Sequence, residues 1–158
     1  MHRRNLLWLA ALPALLNARL AHAHHGWSSF DQGRPIYLEG KATRVKWSNP
    51  HVELVLEVPA DLKLPAGLVE RPVPAQASPI DGRALLAKAT VPTRKDKNWE
   101  IELAPLTRMD AWKVPQIKVG DTLSMVGFTF KDEKGEAILR VEYLYLDGTA
   151  YGLRSSPA

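Results

Sequence analysis

The stretch "NWEIELAPLTRMDAW", residues 98–112, decides the fold. It opens as a strand. Trp99, Ile101 and Leu103 alternate with Glu100 and Glu102, the two-residue period of a sheet with one buried face. At Pro105 the period changes. Leu106, Met109 and Trp112 fall three apart, as on one stripe of a helix, and proline suits a first helical turn because its missing N–H is not needed there. Pro115 ends the helix.

Working upstream, "HVELVLEV" (51–58) alternates in the same way. Val52, Leu54, Leu56 and Val58 face inward, and His51, Glu53, Val55 and Glu57 face outward. Before it, "IYLEGKATRVKW" (36–47) reads as a strand with Gly40 as a bend or bulge, and Ser48-Asn49-Pro50 is a turn. Downstream, Gly120-Asp121 turns into a strand over 122–130. "KDEKGE" is a hairpin loop and "AILRVEYLYLDG" the fifth strand. Asp147-Gly148 turns again, and "TAYGLR" is a short edge piece. Five strands with a helix between the third and fourth give an all-β class. The order is that of an OB-fold, a five-stranded, partly open Greek-key barrel with one short helix. A small β-sandwich is the alternative, and counting elements does not separate the two.

Between the second and third strands the pattern breaks down. Pro59, Pro65, Pro72, Pro74, Pro79 and Pro92 punctuate residues 59–97, and proline removes the donors a long ladder needs. This predicts a long, partly disordered insertion, with "GRALLAKATV" adding a short strand or helical turn.

The N-terminus has a different character. Arg3 and Arg4 precede an apolar run from Leu6 to Leu16, and Ala21-His22-Ala23 has the small-x-small form of a cleavage site. Residues 1–23 therefore read as a signal peptide. The run is shorter than the roughly 20 residues that span a bilayer. "RRNLL" also resembles a twin-arginine signal, so the export route stays open. The expectation is one domain over residues 24–158, located in the periplasm or secreted, with no transmembrane segment in the mature chain. The leader carries three of the 21 Lys and Arg, so 21 − 3 = 18 face 17 acids in the remainder. That near-balance argues against a nucleic-acid partner. With no cysteine, disulfides, thiolate metal sites and c-type haem attachment are excluded.

The remaining chain has three histidines: His24, His25 and His51. Cleavage after Ala23 makes His24 the first residue. A free α-amine ordinarily titrates at about 7.7 to 8.0, so a metal can displace its proton at neutral pH. Amine and Nδ1 of one residue form a chelate. A remote imidazole, for which His51 is the candidate, would complete a three-nitrogen histidine brace. Such nitrogen-rich planar coordination favours copper. His25 is a possible further ligand. Cleavage after Ala21 would instead leave His22-Ala23-His24, also a copper-competent end. Trp27 and Phe30 are candidates to pin the arm to the barrel. Histidines after a leader can equally be inert, and His51 can simply cap its turn.

The segments around these histidines resemble an uncharacterised family of small exported bacterial proteins. Its members begin, after the leader, with Ala-His-His followed shortly by Phe-Asp, and then carry Trp-x-Asn-Pro-His. Here these are Ala23-His24-His25, Phe30-Asp31, and Trp47-Ser48-Asn49-Pro50-His51. "WEIELAPLTRM" and "KVGDTLSMVGF" are similar to later segments of that family. The chain departs from it in the proline-rich insertion and at Gly26-Trp27, where members often have Ser-Phe. The resemblance implies export and one small domain of unknown function, and it links the two histidine clusters. It implies no mechanism.

No nucleophile elbow, phosphate-binding glycine loop or H-E-x-x-H motif is present, so no enzyme is expected. The expectation is a copper-binding protein for metal delivery, storage or sensing. The rival is a metal-free periplasmic binding module for an unknown protein or small ligand. A copper-dependent oxidative enzyme ranks third.

Overall fold

The computed structural model describes residues 26–158. The strands are β1 (Ile36–Lys46), β2 (Glu53–Glu57), β3 (Asn98–Glu102), β4 (Thr122–Phe128), β5 (Ile138–Leu146) and β6 (Thr149–Gly152). Two short helices join them, α1 (Gly82–Lys88) and α2 (Leu106–Ala111). Neighbouring strands run β3-β2-β1-β4-β5-β6, and a further parallel pairing of β3 with β5 closes the first five into a barrel. Every other pairing is antiparallel. This is the OB-like barrel expected from the element order, with β6 added along β5.

The alternating strands bury the expected face. Trp99, Ile101 and Leu103 are at most 1% exposed, as are Val52 and Leu56. Each such side chain contributes about 1.5–3 kcal/mol when taken from water. Helix α2 falls where the period changed. Its N–H at Leu106 donates to Asn49 Oδ1 at 3.2 Å, so the β1–β2 turn caps it. Met109 is fully buried and joins the barrel core.

Two local expectations are corrected. The register break in β1 lies between Ala42 and Arg44, opposite β2, and Gly40 lies outside it. Gly40 is needed for close approach, because a Cβ there would run into the Glu57 carbonyl. The insertion follows one packed path over the barrel. Leu68, Leu86 and Ala89 bury against Tyr37, Val126 and Tyr143 on the outer surface. Thr90 exchanges backbone hydrogen bonds with residues 35 and 37, and Asp81 caps α1 by accepting from the Ala84 N–H. The prolines forbid a ladder, and they leave isolated apolar anchors free to pack.

Candidate functional site

The site grows from one row of side chains across the outside of the barrel. Glu53 on β2 is in register with Glu102 on β3, Glu102 with Arg140 on β5, and Arg140 with Phe128 on β4. Their sequence neighbours Ile101, Leu139 and Val141 point into the core. The outward row should be wet, but Glu102 is only 9% and Arg140 4% exposed.

The covering element is the start of the described chain. The Trp27 ring lies 4.0 Å from the Arg154 guanidinium and 5.0 Å from that of Arg140, and packs edge-on to Phe128. Phe30 stacks on Phe130 at 5.2 Å, and the Asp31 N–H donates to the Thr129 carbonyl. Trp27 and Phe30 therefore pin the arm to the barrel, as the sequence suggested. Gln32 tightens it, donating to the Trp27 carbonyl and accepting from Arg154.

Under this cover, Arg140 Nη1 donates to Glu102 Oε2 at 3.3 Å, and Nη2 lies 3.3 Å from His51 Nε2. Burial pushes the Arg140 guanidinium below its ordinary pKa. Glu102 opposes that shift, and the charges of Arg108 and Arg154 add to it. An arginine this basic still stays charged. Arg154 is matched by Glu142, a fully buried carboxylate 2.7 Å away that also accepts from Gln76 of the insertion. The Nε atoms of Arg140 and Arg108 are buried and find no acceptor among the described residues.

His51 stands at the foot of β2, fixed by the hydrogen bonds of Val52 to Leu103 and Ala104. It is half-buried beside Arg140. The other two predicted ligands, His24 and His25, lie outside the described residues, as does the expected leader over residues 1–23. Among the described residues, no group of three or more histidine and acidic side chains could hold a metal ion. None of their helices is long and apolar enough to cross a membrane.

Sequence reasoning missed Arg140 and placed Glu102 only on the outward face of its strand, with no partner named. A signal was present. In "ILRVEYLYL" the charges Arg140 and Glu142 interrupt a run that is otherwise almost wholly apolar, and charges in such strands are retained only when paired.

Fold and site together define a small OB-type barrel module with an arginine–glutamate–histidine cluster beneath a docked N-terminal arm. A family of unknown function (DUF6152) matches residues 14–74, a stretch that contains His24, His25 and His51. No curated protein and no solved structure matches the chain.

Proposed function

We propose that this chain is an exported copper-binding module working in the periplasm or outside the cell. His24, freed as the first residue by cleavage, gives its amine and Nδ1. His51 gives the remote imidazole, and His25 a further nitrogen. The observation that carries this reading is the seat of Trp27 on Arg140, the residue hydrogen-bonded to His51. His24 precedes Trp27 by three residues, a reach of about 10–11 Å at roughly 3.3–3.6 Å per residue. The family match over all three histidines supports treating them as parts of one pattern.

The chemistry has a cost. A guanidinium only donates, so Arg140 holds the Nε2 lone pair of His51. Copper at Nε2 displaces that hydrogen bond, and copper at Nδ1 forces a proton onto Nε2, against the guanidinium. Either way Arg140 shifts on loading. A site that must break a contact to load suits reversible delivery, storage or sensing.

The test uses the cleaved protein purified without an N-terminal tag. N-terminal sequencing should begin at His24, and Cu(II) titration followed by EPR should give a nitrogen-rich spectrum. His51→Ala should weaken binding at least tenfold and change the spectrum. An uncut leader, or affinity no better than that of free histidine, overturns the reading.

A second reading is a metal-free binding module. The acceptor-less Nε atoms of Arg108 and Arg140 favour it, because a ligand carboxylate would satisfy them. It predicts no specific copper signal in the same titration.

A further inference from the structure

The insertion leaves the barrel after β2 and returns before β3, and where its two ends part they enclose a cavity of about 250 Å³. Trp99 and Val58 contribute from the barrel, and Leu62, Val91 and Pro92 from the insertion. The basic side chains Arg94, Lys95 and Lys97 stand around it with Glu57 and Asp96. Both acids are already engaged, Glu57 with Lys97 at 3.3 Å and Asp96 with Arg94 at 2.6 Å. Arg94 is further fixed, donating to the carbonyls of Glu133 and Gly135 while its guanidinium lies 5.5 Å over the Trp99 ring. Lys95 has no carboxylate partner among the described residues. The Trp99 indole Nε1 is buried without a hydrogen-bond partner among the described residues, an unusual feature in a folded interior.

We propose that this cavity binds an amphipathic monocarboxylate, with its apolar body against Leu62 and Val91, over the buried Trp99 ring, and its carboxylate at Lys95. The space equals about eight waters at roughly 30 Å³ each, enough for a short aliphatic chain or a single ring. An apolar wall gives a bare inorganic anion nothing in return for its lost hydration. An amphipathic cation would meet Lys95 unmatched, beside two acids already paired with Arg94 and Lys97. The acid is therefore selected twice, by its apolar body and by the sign of its charge. The site is independent of the copper reading and lies on different residues.

The experiment uses the cleaved, full-length protein treated with EDTA, so that the outcome does not depend on metal. Octanoate, octylammonium and acetate are titrated by calorimetry, and indole N–H resonances are followed by NMR. Octanoate is expected to bind at least tenfold more tightly than either comparator and to move the Trp99 resonance while leaving that of Trp112, which donates to the Ser155 carbonyl. Lys95→Glu should weaken octanoate at least tenfold. Ala60→Trp, which fills the cavity from an exposed position, should abolish binding. Equal affinity for octanoate and octylammonium overturns the proposal. So does absence of octanoate binding, or a shift spread equally over both indoles. The two ligand comparisons and the resonance pattern need no variant, so they decide the matter even if Ala60→Trp fails to fold.

Discussion

Arg140 Nη2 lies 3.3 Å from His51 Nε2, and this contact fixes the state of the imidazole. Arginine has no acceptor, so Nε2 must accept and the ring proton must sit on Nδ1. Long-range nitrogen–proton NMR at neutral pH should find His51 as the Nδ1–H tautomer. Arg140→Leu should remove that preference. A wild-type ring with its proton on Nε2 overturns the assignment.

The Arg140–Glu102 pair should behave as a buried one. Arg140→Leu leaves the Glu102 carboxylate without its guanidinium at 9% exposure. Losing one partner of such a pair costs about 3 kcal/mol or more. Urea unfolding should show that loss, and Arg140→Leu with Glu102→Leu should recover most of it. A single-variant cost below about 1 kcal/mol would mean the pair is effectively solvated.

Trp27 should hold the arm. Trp27→Ala removes two cation–π contacts and the edge-on contact with Phe128. We expect a loss of about 1–2 kcal/mol. Limited proteolysis should then cut ahead of Asp31 much faster than in the wild type. Under the copper reading, metal affinity should fall in the same variant. Unchanged cleavage would mean the arm is held elsewhere.

Glu133 should give the barrel an acid-sensitive staple. Burial works against its charge. The N–H groups of Thr93 and Arg94 and the Arg34 guanidinium outweigh burial and hold the carboxyl below its ordinary pKa. A depressed folded-state pKa adds stability above the unfolded value of about 4.3, and that stability is lost as pH falls through the folded value. Glu133→Gln should therefore be less stable than wild type at pH 7 by about 1–3 kcal/mol. The gap should close as pH falls below about 4. A gap constant from pH 7 to pH 3 overturns this account.

Strands β2 and β3 were legible because their apolar residues alternate with polar ones. The alternation of Trp99, Ile101 and Leu103 marks a half-buried strand, and the change of period at Pro105 marks the helix that sets the topology. Strand β5 was legible as a strand but not as a site, because it is covered on both sides. Core fills its inner face, and the arm and insertion cover its outer one, so no alternation shows which side Arg140 serves. Gly40 looked like a bulge because sequence cannot see the Glu57 carbonyl approaching from the next strand. The insertion looked loose because Leu68, Leu86 and Ala89 are single anchors with no shared period. His24 and His25 were singled out by position relative to an expected cleavage site, and their geometry lies outside the described residues.

The Val58 N–H donates to the Lys97 carbonyl at 2.8 Å, which joins the two ends of the insertion as neighbours in one ladder. To the barrel, residues 59–96 are the loop of a hairpin. Each doubling of such a loop costs only about 0.6 kcal/mol in closure entropy. Added length at the exposed turns of the appendage thus costs little, provided that Leu68, Leu86 and Thr90 keep their seats on the barrel. The barrel then serves as a fixed mount, on which the turns beside Trp99 and the arm beside His51 can diverge separately.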